Sequence, residues 1–387
     1  MPPSPSAAQP ASVSVRSLAP DLARGLMLLL IALAHAPAFV SDWRRGPLPL
    51  DAAAEFLKSL VAENQARNMF VFLFGYGLVQ LTRRQEERGA DWPAIRGLLR
   101  RRGLWLVVIG FAHTVLLVPL DIVAVYGLTL LVLTSLVRAR DAVLWRTALA
   151  TLVPATLLLA WQSVTAWTAA AAGSPVTMAR FMEPDVLTHL VASIPSWPVE
   201  TAVGTITVVP GMALGVWAAR RRVLEEPERH EALLRRAAVL LIGVSLAGRL
   251  PAALLAAGAW STTSAPALWA VAVAHDLTGY AGGIGLAAAV GLVALRAGRR
   301  RGRLTEALAA LGQRSLTFYL FQSVVWLALF YPFTLDLRDD MGAAGSFAVG
   351  AGSWALSVVL AEWMRRGGHR GPAEVLLRRL SYGRAPR

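Results

Sequence analysis

Apolar runs of about 20 residues recur along this chain, separated by short arginine-bearing connections, and each run is long enough to cross a hydrocarbon core of roughly 30 Å as a helix. Lipid offers a backbone N–H or C=O no partner, so every run must close its own hydrogen bonds. The runs are too long for barrel strands, which leaves the helix. Ten candidate spans read as 20–40, 61–81, 102–119, 121–137, 143–167, 197–218, 237–259, 266–295, 315–333 and 343–363. The expected fold class is therefore all-α: a polytopic integral membrane helical bundle of about ten transmembrane helices. One membrane domain is expected over 18–363. A Pro-, Ser- and Ala-rich tail, 1–17, is expected to be disordered; it lacks the basic, apolar and cleavage-site order of a signal peptide, so the first run should be retained. A basic tail, 364–387, closes the chain. Composition points the same way, with 56% hydrophobic and 16% charged residues, where soluble domains carry about a quarter charged.

Arginine placement sets the orientation. Net charge is +14, and of the 38 basic residues all but Lys58 are Arg. They cluster after spans 2, 4, 6 and 8 and at both chain ends, which puts 31 of the 38 on one side. That side is the cytoplasm by the positive-inside rule, with both termini in. Charges scattered among loops do not make a nucleic-acid face; the expected partner is the lipid bilayer and the expected location the cell membrane, bacterial and cytoplasmic. The chain has no Cys, which excludes disulfides, thiolate metal sites and a Cys nucleophile. No His-x-x-x-His spacing occurs, so no metal site and no resident cofactor are expected. In the longest outer connection, Phe181 to Ile194 could form an interfacial or re-entrant helix, or an irregular loop. Gly371 and Pro372 open an amphipathic stretch in which Leu376, Leu377 and Leu380 face Arg378 and Arg379, suited to the inner membrane surface.

An ionisable side chain near the bilayer centre costs on the order of 2.5–3.5 kcal/mol, so each one is a functional hypothesis. In span 1, Asp21, Arg24 and His35 fall on one helical stripe, His35 about 16 Å further out than Arg24. Span 3 repeats the pattern with Arg102 at its inner end and His113 eleven residues on. Pro119 then makes an outer hairpin, and Asp121 begins the return. Arg67 and Asn68 enter span 2 from outside, His275 and Asp276 lie in the outer half of span 8, and Arg249 falls inside span 7. We expect His35, Arg67, His113, Asp121, Arg249, His275 and Asp276 to line one outward-facing polar cavity. Gly75 and Gly77 in span 2, and Gly279, Gly282, Gly283 and Gly285 in span 8, read as sites of close helix packing.

Five motifs carry a family resemblance. Gly312, Leu316, Thr317, Tyr319, Leu320, Gln322 and Ser323 resemble the Gly-Arg-Met-Ala-Leu-Thr-Asn-Tyr-Leu-x-Gln-Ser pattern of the YeiB-like membrane proteins, catalogued as domain of unknown function 418; Gln313 and Phe318 depart from it. Asp21, Arg24 and Gly25 resemble that family's opening, Phe72 to Gly77 its Phe-x-Leu-Phe-Gly element, and His113 with Asp121 and Ile122 its His…Gly-Asp-Ile-Leu element. Gly371, Pro372, Glu374, Arg378, Leu380, Tyr382 and Gly383 are similar to its closing Gly-Pro-Leu-Glu pattern. The likeness spans nearly the whole chain, with the family's carboxy-terminal region at about 225–387. The family looks distantly related to the type 3 membrane acyltransferases, a link by analogy. His35 strengthens it: YeiB-like proteins usually carry Asn there, whereas those acyltransferases place a catalytic His eleven residues after the Arg of a similar opening.

The resemblance implies acyl transfer from a cytoplasmic thioester such as acyl-CoA, as co-substrate, to an extracytoplasmic glycan or lipid hydroxyl. Arg100, Arg101 and Arg102 are the expected holders of donor phosphates. His35 is the expected general base, with His113 and Asp121 orienting the acceptor or forming an alternative base pair. Arg24, Arg67, Asn68, Arg249, His275, Asp276, Tyr319 and Gln322 are candidate substrate-binding residues. A serine-nucleophile triad is less attractive, because no Gly-x-Ser-x-Gly elbow occurs. The rival reading is a transporter or lipid-handling protein that uses the same polar residues.

Overall fold

A computed structural model describes residues 18–173, 177–299 and 302–383, with the side chains of 180 and 299 left aside. Six of its helices are both long and apolar enough to cross a membrane. They are α1 (Leu18–His35, extended by a 3-10 turn to Phe39), α6 (Asp141–Ala171), α8 (Trp197–Arg220), α9 (Glu231–Ala256), α10 (Ala265–Arg299) and α13 (Ala343–Arg366). Four more occupy the remaining expected spans: α3 (Gln65–Glu86), α4 (Trp92–Leu116), α5 (Val123–Leu133, continued as a 3-10 turn to Arg138) and α12 (Ser315–Phe330). The short helices are α2 (Leu48–Leu57), α7 (Val186–Ala192), α11 (Arg303–Gly312) and α14 (Pro372–Tyr382). The molecule is a polytopic membrane helical bundle.

Burial sorts the helices into an inner and an outer set. The most apolar windows of α1 and α8 are 61% buried and that of α10 56%, against 28% for α6, α9 and α13. The outer helices expose Leu149, Val153 and Trp161, then Val239, Leu240 and Val244, then Val359 and Trp363. Such faces would drive aggregation in water; lipid makes them the favourable surface. Inside, glycines set the crossings. A Cβ on Gly75 would come within 2.3 Å of the Met212 carbonyl oxygen, and one on Gly215 within 2.0 Å of that of Phe72, so α3 and α8 touch backbone to backbone. Gly25 and Gly312 do the same for α1 and α11, where a Cβ on Gly312 would meet the Asp21 carbonyl oxygen at 1.8 Å.

The structure departs from the expected boundaries chiefly at the start of α4 and at Asp121. Helix α4 begins at Trp92 rather than 102, because the Asp91 carboxylate accepts the Ala94 N–H at 3.0 Å and Pro93 suits a first turn. Arg96, Arg100, Arg101 and Arg102 therefore ride on its first turns instead of in a loop. Asp121 precedes α5 and does not belong to a span. In the connection before α3, where no element was expected, α2 runs into a π turn, Lys58–Ala62, and packs against α13 and α9. Residues 178–194 contain a 3-10 turn, Met178–Phe181, and the short α7, capped by Asp185 on the Thr188 N–H at 3.0 Å. The amphipathic helix after Gly371 is α14. The tail at 1–17 lies outside the described residues.

Candidate active site

Pro119 has no N–H to continue a helix, and the chain turns there from α4 into α5. Two residues on, the Asp121 carboxylate accepts the N–H groups of Val123 at 3.0 Å and Ala124 at 2.7 Å, a placement that suits a negative charge at a helix N-terminus. Gly110 on α4 permits this. A Cβ there would stand 2.3 Å from both Ala124 N and Asp121 Oδ2. The close approach brings Asp121 Oδ1 to 3.2 Å from His113 Nδ1, within ion-pair reach but off hydrogen-bond alignment. On the other side of the imidazole, His113 Nε2 lies 2.7 Å from Ser323 Oγ on α12. All three side chains are buried, His113 at 2% and Ser323 at 4% exposure. Tyr319, one turn before Ser323, stands 5.3 Å from the His113 ring and donates its hydroxyl to the Leu120 carbonyl at 2.7 Å, which pins the turn to α12. His35, at the end of α1, is within electrostatic reach of His113 but takes no part in the His113–Ser323 hydrogen bond.

Aromatic rings wall the site on the α3 side. Tyr126 packs between Phe70 (4.9 Å) and Phe74 (4.7 Å), and Phe70 reaches Tyr319 at 6.4 Å between centroids. Tyr126 is also in electrostatic range of Tyr319, Arg67 and Asp121. Several polar atoms here are buried without a partner: Tyr126 Oη, Arg67 Nε and Gln322 Oε1. Gln322 spends its amide N–H on the Leu28 carbonyl at 3.0 Å. Unsatisfied buried groups ordinarily signal a ligand, a water or a catalytic role.

The remaining outer residues gather in a second group. Arg249 is fully buried, and its guanidinium donates to the carbonyls of Ser59, of Leu60 at 3.1 Å, of Glu63 at 2.6 Å and of His275 at 3.4 Å. It caps the carbonyl end of the α2 and π segment, which lipid could not satisfy. Asp276 accepts from Asn64 at 3.1 Å and Ser163 at 3.0 Å, with His275 Nδ1 at 3.4 Å. Asn64 holds φ at 56° to turn the chain into α3, and its side-chain oxygen accepts from Arg67 and from Asn68 at 3.3 Å. The seven residues expected around one cavity thus form two buried groups, with Arg67 between them. The reason is that Arg249 turns to backbone carbonyls instead of into open space.

At the inner end, Asp21 pairs with Arg24 at 3.3 Å and accepts from Gln313 at 3.0 Å. Arg102 is half-buried in electrostatic range of Arg24, Glu374 and Tyr382, whereas Arg100 and Arg101 are exposed. Only Arg102 of the expected donor triplet therefore joins Arg24. A separate concavity of about 540 Å³ is lined by Arg220, Arg221, Arg222, Glu226, Arg229 and His230. Its charges are paired: hydrogen bonds from Arg229 and Arg222 hold the Glu226 carboxyl below the usual carboxylate range, and Arg220 and Arg221 pair with Asp141. Among the described residues, no three His, Asp or Glu side chains gather as a metal site.

The motif at the end of the chain has a structural meaning. Glu374 accepts the N–H groups of Leu316 at 2.8 Å and Thr317 at 3.2 Å and the Thr317 hydroxyl at 2.5 Å, while that same hydroxyl accepts the Ala373 N–H at 3.1 Å. A Cβ on Gly371 would fall 1.9 Å from Glu374 Oε2, so glycine is needed for α14 to cap α12. Residues 218–384 match the family described as protein of unknown function (DUF418). Over 365 residues the chain is also 25% identical to the uncharacterized protein YxaH of Bacillus subtilis, covering 89% of this chain and 85% of that one. The DUF418 region runs from the end of α8 through α14 and so contains Tyr319, Gln322, Ser323 and the Glu374 clamp, while His113 and Asp121 come from the part of the chain before it. Two actors escaped sequence reading. Ser323 was visible only as the last residue of a motif, and Asn64 carried no signal beyond its polarity at a helix start.

Proposed function

We propose that this multi-pass protein of the cell membrane transfers an acyl group from a cytoplasmic thioester donor to an extracytoplasmic hydroxyl acceptor, a glycan or a lipid. One observation carries the reading: a buried imidazole, His113, lies between the Asp121 carboxylate at 3.2 Å and a hydroxyl at 2.7 Å. A carboxylate on Nδ1 orients the ring and steadies the imidazolium, leaving Nε2 to take a hydroxyl proton, help worth roughly 10²- to 10⁴-fold. His113, rather than His35, is the base in this reading; His35 stands close enough to orient the acceptor. Apo sites commonly hold such contacts slightly out of line until substrate closes them. Arg24 and Arg102 support a donor phosphate at the inner end, since guanidinium forks match phosphate oxygens.

The test is acetyl transfer by purified protein in vesicles, with radiolabelled acetyl-CoA on the Arg-rich side and glycan or lipid acceptors on the other. Acceptor labelling that falls about 10²-fold or more in His113→Ala, and falls in Asp121→Asn with the protein still folded, supports the reading. Proton-coupled solute uptake without donor turnover, insensitive to His113→Ala, would favour a carrier instead.

A further inference from the structure

The hydroxyl that His113 holds belongs to the protein. Resting on the acyl-transfer reading above, we propose that Ser323 is a nucleophile, which takes the acyl group from the donor as an acyl-serine inside the bundle and passes it on to the acceptor. Atom connectivity supports this: Asp121 Oδ1 faces His113 Nδ1, and His113 Nε2 faces Ser323 Oγ. That order of carboxylate, imidazole and hydroxyl recurs on unrelated scaffolds in any chain order, and here it runs His113, Asp121, Ser323.

The second observation concerns where helical hydroxyls in this molecule point. Buried Ser and Thr side chains in helices commonly bond back to the carbonyl four residues earlier. Thr129 does so to Val125 at 2.7 Å, Ser357 to Ser353 at 2.8 Å and Ser381 to Leu377 at 2.6 Å. Ser323 stands 3.5 Å from the Tyr319 carbonyl but 2.7 Å from His113. Its hydroxyl is drawn off its own helix toward a base. Tyr126 Oη, buried without a partner and in electrostatic range of Tyr319 and Asp121, is the candidate donor for the developing oxyanion.

The chemistry balances without a further reactant. Ser323 Oγ bonds to the thioester carbonyl carbon as its proton passes to His113 Nε2; the C–S bond breaks, and the departing thiolate takes that proton. In the second half the acceptor hydroxyl gives its proton to His113 and bonds to the same carbon, the carbon–Oγ bond breaks, and Ser323 recovers the proton. Ser323 lies eight residues into α12, about 12 Å from its cytoplasmic end. An acyl-serine at that depth lets donor and acceptor visit from opposite faces at different times.

The full-length protein, incubated with radiolabelled acetyl-CoA and no acceptor, is quenched in acid and its peptides mapped. One equivalent of thiol should be released in a burst, with one acetyl on the peptide that carries Ser323. Ser323→Ala should show neither. Ser323→Cys should hold an acetyl that neutral hydroxylamine removes, a clean assignment because the chain has no other thiol. Matching thermal unfolding of the variants separates lost chemistry from lost fold. Acceptor labelling by Ser323→Ala within about tenfold of native, or a label on any other residue, overturns the acyl-serine while leaving acyl transfer standing. No thiol release from native protein, with or without acceptors, sinks acyl transfer itself and the acyl-serine with it.

Discussion

Replacing Glu374 tests whether the closing motif is a clamp rather than part of the chemistry. Its carboxylate accepts three donors at the start of α12: Leu316 N–H, Thr317 N–H and the Thr317 hydroxyl, at 2.8, 3.2 and 2.5 Å. A lost N-cap costs about 1 kcal/mol. Removing a negative charge from a helix N-terminus costs about 0.5 kcal/mol more at a half-exposed position. A net hydrogen bond to the hydroxyl adds about 1 kcal/mol. Glu374→Ala should therefore destabilise by about 2–3 kcal/mol, and Glu374→Gln, which keeps one acceptor oxygen, by about half that. Because α14 also packs on α4, the loss should spread to the site between α4 and α12. The assay is thermal unfolding of detergent-purified protein, read beside amide exchange at residues 315–319. Thr317→Val combined with Glu374→Ala should cost less than the sum of the two, since they share a bond. Full exchange protection of 315–319 and an unfolding temperature equal to native in Glu374→Ala would refute the clamp.

Arg249→Leu should leave the Ser59 carbonyl without its side-chain donor, at about 1–3 kcal/mol, and take one of two donors from the Leu60 and Glu63 carbonyls, which keep the Gln65 amide and backbone N–H, while Arg249→Lys should recover part of the loss; limited proteolysis between 48 and 64 reads the loosening, and native resistance in Arg249→Leu would free the guanidinium for a ligand role. His189 in α7 is buried against Tyr331 (5.0 Å) and Phe333 (5.4 Å), and burial lowers its pKa from the ordinary imidazole value of 6.5. The folded segment thus binds fewer protons than the unfolded one, so its stability is complete above pH 6.5 and falls as the pH drops through the imidazole range. Proteolysis at residues 178–194 should accelerate on acidification and lose that dependence in His189→Phe.

The spans were legible because lipid imposes one rule on every apolar run, and the arginine connections marked their ends. What was not legible is where a backbone carbonyl would go unpaired. Nothing in residues 48–60 announces a buried segment with a π turn, and no element was expected there. The guanidinium that makes this segment tolerable comes from Arg249, nearly two hundred residues later. Sequence rules rank an intramembrane charge by its insertion cost, and on that scale Arg249 and His113 were both functional candidates. Cost alone does not say how the charge is satisfied. The Arg249 donors end on backbone carbonyls, whereas His113 keeps one nitrogen on a hydroxyl and sets the other beside a carboxylate it does not yet bond squarely. The first arrangement is closed, and a substrate would have to break it. The second is complete only when a proton moves, and for that reason the chemistry is placed at His113 and Ser323 rather than at the more costly arginine.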